Sequence, residues 1–475
     1  MSAPRVWTVA ATQLRLMSRD RRLAWLTGLL ALVMLASAAV GQSRNAQLQA
    51  DRRAAAAEAQ EVWRSQGPTN PHGAAHFGQD VYAPVSPLAA LDPGLSDHLG
   101  VAVRLEGHSQ NPARERPVEG GAALSRFGGF SAAWALKVLA PLMIILAGFS
   151  TFAGERSREL LSQERAAGAS SFTLMGGQLL ALSTWAFGLV AAFTAAGLAL
   201  VLANGAAAAD MLAALAMGAA FFLYLAVFVG LTLAASASFR TARAALVALL
   251  CFWALSTLAA PRLVPALAEQ LHPTPAAPVF EKAVTEEAKN GANGHDPADK
   301  RLAAFKAETL RHYGVTREED LPVNFAGLAL AFGERNSTQT YNRHYARLFD
   351  AYEGQARVQR WVALAAPELA VGPLSMAFAR SDLDAHLRFL KQAEAFRYRL
   401  IQTLNADVAQ HKPPADGPYL ADVGALTRHL RFAPRPAALG EVWTRQRANA
   451  LVLAGWAALA FALAGFAGLR LERPQ

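Results

Sequence analysis

The sequence is poor in charged residues. Only 17% of its 475 residues are Asp, Glu, Lys or Arg, against about 25% in an average globular domain. The shortage is uneven, because no charged side chain lies between Arg165 and Asp210. A membrane span needs about 20 apolar residues to cross the hydrocarbon core. The composition therefore excludes an ordinary water-soluble domain and indicates an integral membrane protein.

Cysteine and the common catalytic motifs are also scarce or absent. The single cysteine, Cys251, excludes a disulfide within the chain and a Cys₂His₂ zinc site. The sequence contains no G-x-x-x-x-G-K-[ST], H-E-x-x-H or G-x-S-x-G motif. These absences exclude a P-loop nucleotide site on this chain. We predict no catalytic residue, no metal site and no cofactor of its own.

Six apolar windows predict six transmembrane helices. They cover residues 23–41, 131–153, 172–203, 210–238, 244–260 and 447–469. The first window resembles a signal peptide, because a basic segment precedes it and Ala36-Ser37-Ala38 resembles a cleavage site. It is longer than the apolar core of a typical signal peptide. We therefore interpret it as an uncleaved span.

Two polar blocks, residues 42–130 and 261–443, separate these windows. They carry nearly equal numbers of basic and acidic residues, so the net charge of +9 comes from elsewhere. Much of it lies in residues 1–22 and at Arg240 and Arg243. Basic residues favour the cytoplasmic side, which predicts cytoplasmic N- and C-termini and both blocks in the periplasm or exterior. This distribution argues against nucleic acid as a partner.

The ends and the blocks have recognisable local patterns. We predict an interfacial helix at residues 1–22, with a disordered basic tail as the alternative, and a short cytoplasmic tail at 470–475. The blocks should fold together and be mainly helical with minor β structure. Their predicted elements are an extension of the first helix over 42–66, a strand at 101–105, and helices at 299–313, 334–363 and 382–410, the last with Ser381 as N-cap.

The segment 154–171, between the second and third predicted spans, is rich in charges of alternating sign. Its charged residues are Glu155, Arg156, Arg158, Glu159, Glu164 and Arg165. One interpretation is a short helix that docks into a groove of a cytosolic partner. The other is an ordinary solvated loop. The sequence alone does not separate them.

A few ionisable residues elsewhere carry weaker hypotheses. Lys137 lies inside the second predicted span, where it either extends to the membrane interface or lines a substrate cavity or subunit contact. Eleven histidines are scattered along the chain. His344, Asp350 and Glu353 share a predicted helix and form a weak metal-site hypothesis. Solvated residues on a helix face are the favoured interpretation.

Short sequence words in the two blocks occur in a specific order and spacing. They are Pro87-Leu88-Ala89-Ala90-Leu91-Asp92-Pro93-Gly94, Glu106-Gly107-His108, Leu321-Pro322-Val323-Asn324, Leu374-Ser375-Met376, Asp382-Leu383, Ala393-Glu394-Ala395-Phe396-Arg397 and Leu404-Asn405. With the six spans, this arrangement resembles the permease subunit of a type-2 ABC transporter. It is most similar to a subgroup with two large periplasmic insertions.

The resemblance implies an all-α fold with six transmembrane helices and a composite, mainly helical periplasmic domain in a bacterial inner membrane. It implies a cytosolic ABC ATPase dimer that binds ATP and Mg, a second permease, identical or similar, and, as a further candidate partner, a periplasmic protein. It makes Glu155 and Arg156 the start of the coupling helix. The usual Gly-Thr-Leu is replaced here by Arg158-Glu159-Leu160, and Gln178 stands where a basic residue is common.

From these expectations we predict that the chain is a permease that moves or extracts an unidentified substrate. The alternative is a membrane-anchored periplasmic scaffold, or a signalling or assembly protein, without transport. A neighbouring ATPase gene would favour the permease. A membrane enzyme is the third possibility, but the sequence carries no catalytic motif that supports it.

Overall fold

Helices dominate the fold. The computed structural model describes residues 5–120, 130–205, 207–291, 294–296, 299–414 and 416–471. Its helices are α1 (Val6–Arg19), α2 (Arg21–Arg64), α3 (Pro71–Phe77), α4 (Ala132–Gly148), α5 (Glu155–Ala166), α6 (Ser171–Ala203), α7 (Ala208–Ser238), α8 (Ala242–Leu271), α9 (Ala277–Lys289), α10 (Lys300–Tyr313), α11 (Phe325–Val362), α12 (Glu368–Ala379), α13 (Leu383–Gln410) and α14 (Leu439–Arg470). Short helical turns lie at Pro87–Ala90, Pro117–Gly120, Glu318–Asp320 and Val423–Leu426. The predicted tail at 470–475 lies outside the described residues after Leu471.

Strands are short and few residues take part in them. They are β1 (Pro68–Thr69), β2 (Gln79–Tyr82), β3 (Ala102–Glu106), β4 (Ser109–Gln110) and β5 (Ala421–Asp422). Strands β2, β3 and β4 form one antiparallel sheet, in which Val81 pairs with Val103 and Leu105 pairs with Gln110. Strands β1 and β5 pair antiparallel and join the two polar blocks. The strand predicted at 101–105 is confirmed as β3.

Within the described residues, five helices are long and apolar enough to cross a membrane: α2, α6, α7, α8 and α14. Helix α4 is apolar but shorter, and it ends at Gly148, before the predicted end of that span. The chain therefore has the architecture of an all-α membrane protein. Of the six predicted spans, five have a helix of sufficient length.

Helix α7 is the central member of the apolar bundle. Its most apolar window is 67% buried, whereas the corresponding windows of the other four long helices are 17–33% buried. Small residues allow its neighbours to approach closely. A Cβ at Gly230 would lie 2.6 Å from the carbonyl carbon of Ala460 on α14, and one at Gly148 of α4 would lie 2.7 Å from Thr232.

Helices α2 and α1 extend the bundle beyond its apolar core. Helix α2 runs unbroken over 44 residues into the polar region, which confirms the predicted extension of the first helix. Asp20 caps its start, because its carboxylate accepts from the backbone N–H of Arg22. Helix α1 packs against α6, where a Cβ at Gly177 would lie 2.4 Å from Val9.

The two polar blocks share one hydrophobic core, which confirms that they fold together. Trp63, Val81 and Leu105 from the first block pack with Phe396 and Ile401 from the second. We call this unit the polar domain. Trp63 also donates from its indole Nε1 to Thr427 Oγ1 at 2.9 Å, so the far end of α2 is fixed to the second block.

Two boundaries in the second block differ from the sequence prediction. The long helix α11 starts at Phe325 rather than at residue 334, because Asn324 caps it by accepting from Ala326 N–H at 3.1 Å. The predicted N-cap Ser381 is wrong. Asp382 caps α13 through Ala385 N–H at 3.0 Å, while the Ser381 hydroxyl donates to the backbone oxygen of Asp92 at 2.8 Å.

Candidate functional site

Four histidines meet on the polar domain and form what we call the histidine cluster. They come from three segments that are distant in sequence: His72 and His76 from α3, His108 from the β3–β4 turn, and His295 from residues 294–296. The Nε2 atoms of His72 and His76 are 3.1 Å apart, and those of His108 and His295 are also 3.1 Å apart. One ring nitrogen from each histidine lies within 4.8 Å of the other three.

Local features place each of these side chains. Asn70 caps α3 by accepting from the backbone N–H of His72 at 3.0 Å, and the spacing of four residues puts both α3 histidines on one face. His108 adopts a left-handed backbone conformation with φ of 62°, and its N–H donates to Glu334 Oε2 at 2.7 Å. Gly294 has φ of +78°, and a Cβ there would lie 2.4 Å from the Ala329 oxygen. That position therefore requires glycine.

Buried polar groups stand behind two of the four rings. His72 Nδ1 lies 3.3 Å from Asn405 Oδ1, an acceptor, which favours the tautomer with the proton on Nδ1 and the Nε2 lone pair directed to the cluster. His108 Nδ1 lies 3.3 Å from Glu334 Oε2, off the ideal hydrogen-bond direction. The carboxylate favours the same tautomer there. Both arrangements are those of a histidine oriented by an outer acceptor.

Glu334 belongs to a buried ion network centred on Arg397. The Arg397 guanidinium donates to Glu334 Oε1 at 2.6 Å, to both carboxylate oxygens of Glu394 at 2.7 and 2.8 Å, and to Thr338 Oγ1 at 2.8 Å. It also donates to the Glu106 carbonyl at 3.0 Å. Glu334 is fully buried and Arg397 is 1% exposed. Two carboxylates thus share one guanidinium, and Glu334 faces the histidines.

Burial favours the neutral form of three of the four imidazoles, and Arg397 favours the charged form of Glu334. Burial lowers the pKa of His72 to about 4 and that of His108 to about 4, and burial also lowers the pKa of His295. Neutral imidazole is the form that binds metals. Burial disfavours the charged form of Glu334, but the nearby Arg397 outweighs it and keeps the pKa of that carboxyl below its usual value.

A second buried group, the lysine cluster, joins the bundle to the polar domain. Lys137 Nζ on α4 lies 4.0 Å from Asp92 Oδ2, and Ser375 Oγ on α12 donates to the same oxygen at 2.5 Å. The Lys137 side chain is 15% exposed. The ammonium therefore points to a carboxylate inside the protein and not to open solvent. Nearby, Arg380 forms a 2.7 Å ion pair with Asp210 of α7.

The lysine cluster sits on an irregular stretch of helix. Residues 135–139 of α4 and 254–259 of α8 are π-helical, a form that releases backbone groups from the regular helical pattern. Tyr224 Oη donates to the Lys137 carbonyl at 2.9 Å, and Trp253 Nε1 donates to the Val138 carbonyl at 3.0 Å. Tyr224 Oη also lies 3.3 Å from Thr257 Oγ1. Polar contacts thus connect α4, α7 and α8.

Helix α5 lies at the end of the bundle opposite to the polar domain, and we call this end the α5 end. Arg165 donates to the Leu471 carbonyl at 2.8 Å, just after the last turn of α14, whereas the first turn of α14 meets the polar domain through Glu441 and Arg388. Leu161 anchors α5 by its buried side chain. Its outward side chains include Glu155, Arg156, Glu159, and Leu160, which is 55% exposed.

The residues of the two polar blocks that the sequence singled out, together with Lys137, fall into three groups. Asp92, Ser375 and Lys137 meet in the lysine cluster. Pro93 and Gly94 follow Asp92 directly in the chain, and Asp382 follows Ser381, whose hydroxyl donates to the Asp92 carbonyl. His108, Glu394, Arg397 and Asn405 meet at the histidine cluster. Pro322 and Asn324 instead lie at the junction of α11 with the end of α13, where Asn324 Nδ2 donates to the His411 carbonyl at 3.2 Å.

His72, His76, His295 and Glu334 were not predicted from the sequence. The available signal was the spacing of His72 and His76, four residues apart directly after an Asn-Pro helix start. The weaker hypothesis on α11 does not assemble as a site in the described residues. His344 Nε2 lies 2.7 Å from Glu287 Oε2, while Asp350 and Glu353 are exposed.

Comparison with known proteins adds one match. A family model described as "Domain of unknown function (DUF3526)" matches residues 279–418. That region contains His295 and the Glu334, Glu394 and Arg397 side chains of the ion network, but it contains neither α3 nor any of the five long apolar helices. No curated protein matches the chain.

Proposed function

We propose that the chain is a membrane-spanning permease subunit of an ATP-driven transporter of the type-2 ABC class. It works with a cytosolic ABC ATPase dimer, which binds ATP and Mg, and with a second permease. In this proposal α4 completes a set of six spans in a bacterial inner membrane. Both termini and α5 are cytoplasmic, and the polar domain is periplasmic. The substrate is moved across the membrane or extracted from it.

The observation that supports this proposal is the position of α5. It is a charged helix held between two apolar helices, with one buried leucine and an exposed charged face. It lies at the opposite end of the bundle from the polar domain, beside the end of α14. A lever of this kind transmits a rigid-body movement to the helices that flank it. Helix α6, which follows α5, packs on the central helix α7.

The irregular turns in α4 and α8 support a rocking mechanism. They place polar contacts, through Tyr224 and Trp253, between helices that would have to shift against one another. A helix that already departs from the regular pattern has a second pattern of hydrogen bonds within reach. Movement of α5 is therefore expected to reach the lysine cluster and, through it, the polar domain.

The test replaces Glu155 and Arg158 with alanine in the tagged full chain. The measurements are the amount of ATPase that co-purifies from native membranes and its rate of ATP hydrolysis. We expect at least a tenfold fall in binding, which corresponds to a loss of about 1.4 kcal/mol of binding free energy. The matched control is Lys282→Ala with Glu286→Ala, an exposed ion pair in the polar domain.

Unchanged binding and turnover in the α5 variant would refute the assignment of α5 as the coupling helix. If the wild-type chain carries no ATPase but retains a periplasmic protein, the scaffold alternative replaces the permease. A fall in both the α5 variant and the control would indicate general misfolding. Thermal unfolding of each purified variant, followed by tryptophan fluorescence, separates that case.

A further inference from the structure

The histidine cluster brings four ligand atoms from three separate segments of the chain to one point. A tetrahedral zinc ion with Zn–N bonds of about 2.0–2.1 Å holds its ligand nitrogens about 3.3 Å apart. The His72–His76 and His108–His295 nitrogen pairs, each at 3.1 Å, are already near that separation. The remaining distances, up to 4.8 Å, close with a small inward movement of the rings.

The surroundings of the cluster suit a cation. Asn405 and Glu334 lie behind His72 and His108, and both acceptors favour the tautomer that directs an Nε2 lone pair to the centre. Histidine ligands of metals almost always have such an acceptor behind them. The buried network contains two carboxylates and one guanidinium, so it has one carboxylate in excess, and Glu334 is the carboxylate that contacts His108. A positive ion at the cluster balances that charge.

We propose that His72, His76, His108 and His295 together bind one Zn²⁺ ion that fastens three separate segments of the polar domain. All four ligands are imidazole nitrogens, a donor set that suits zinc and its transition-metal neighbours and does not suit Mg²⁺ or Ca²⁺. Four protein ligands fill a tetrahedral shell, which is the arrangement of a structural site. The ion supplies a cross-link that the chain, with its single cysteine, has no disulfide to provide.

The main test measures zinc binding by the full-length chain alone, purified in detergent and stripped with a chelator. Titration with Zn²⁺ against a colorimetric competitor should show about one tight site per chain, and elemental analysis after dialysis should retain it. The thermal midpoint should rise with Zn²⁺ and not with Mg²⁺. Because no ATPase is present, failure of this test and failure of the permease proposal are independent.

The matched variants are chosen to leave the fold intact. His76→Gln with His295→Gln removes two exposed ligands, and this pair should abolish both stoichiometric binding and the shift in thermal midpoint. The control His429→Gln removes an exposed histidine outside the cluster and should bind zinc like the wild type. Asn405→Ala removes the acceptor behind His72, and loss of such a partner weakens binding by about 10–100-fold.

Binding by the wild type that does not exceed binding by His76→Gln with His295→Gln would overturn the proposal. The four imidazoles would then be two pairs held by hydrogen bonds between rings. As an independent readout, Co²⁺ in a tetrahedral nitrogen site gives strong visible absorption. Equal absorption by the wild type and the double variant would also overturn the proposal, whatever the stability of either chain.

Discussion

The lysine cluster and the Arg397 network use the same kind of charges in different ways. In the lysine cluster a single ammonium lies 4.0 Å from Asp92, beyond hydrogen-bond distance, and Ser375 supplies the short contact to that carboxylate. In the network every donor direction of the planar Arg397 guanidinium is directed at a carboxylate, a hydroxyl or a carbonyl. The first arrangement is loose and the second is fully hydrogen-bonded.

The difference follows from what each cluster connects. The Arg397 network lies inside one domain, between α11, α13 and the β3–β4 turn, where a rigid arrangement also fixes His108. The lysine cluster lies between the apolar helix α4 and the polar domain, at a π-helical turn. A compact ammonium on a flexible stem adapts to small shifts between the two parts, whereas a guanidinium fork does not. The lysine cluster therefore suits a contact between two parts of the protein that shift relative to each other.

The largest expected effect comes from Arg397→Met. This change leaves Glu334 and Glu394 buried without their cation, and breaking a buried pair in this way costs about 3–5 kcal/mol. We expect a marked fall in folded protein and in the thermal midpoint of the polar domain. The measurement is thermal unfolding of the purified chain. A triple variant that also carries Glu334→Gln and Glu394→Gln should recover part of the loss, and no recovery would contradict the charge argument.

A smaller effect is expected from Lys137→Met. The variant leaves the Asp92 carboxylate buried without a cation, but Ser375 still donates to it, so the cost should be about 1–3 kcal/mol. Adding Asp92→Asn to the same chain should restore most of the stability. The double-mutant cycle is measured by thermal unfolding. Additive effects of the two changes would mean that Lys137 and Asp92 do not interact, and the comparison between the clusters would fail.

The smallest effect concerns Asp382, a half-buried carboxylate that caps α13 with backbone donors. Burial raises its pKa to about 6, above an unfolded value of about 3.9. The group then contributes stability below about pH 4, and this contribution is lost as pH rises towards 6. Asp382→Asn keeps the cap and removes the titration. Relative to the wild type, the variant should gain stability progressively as the pH rises from about 4, and the gain should level off above about pH 6. Parallel pH–stability curves would contradict this expectation.

Much of the fold was predictable because apolar runs and helix starts are local. The extension of α2 follows from an Ala-, Glu- and Gln-rich stretch without Pro or Gly before Gly67. The start of α11 was misplaced because Asn324 caps it far upstream of the segment rich in Arg, Tyr and Gln. Ser381 looked like a cap because serine is a common one. The choice of Asp382 depends on Asp92, which is distant in sequence and occupies the serine hydroxyl.

The candidate site was less predictable because its parts come from both polar blocks. The words containing His108, Arg397 and Asn405 were noted in the sequence, but nothing local shows that Glu334 joins them. His295 reaches the cluster only because Gly294 lets its segment pass close to α11. Such contacts are set by packing between helices, which a single sequence does not display. The spacing of His72 and His76 was the one local clue.

Helix α2 has a mechanical consequence. At about 1.5 Å per residue, its 44 residues extend for about 66 Å, from the α5 end to its attachment at Thr427. A straight rod of this length converts a small tilt at one end into a large sweep at the other, and a rotation of about 10° moves the tip by about 11 Å. The bond from Trp63 to Thr427 sits near that tip, where the displacement is greatest. A small tilt of α2 would thus reach the polar domain as a large displacement.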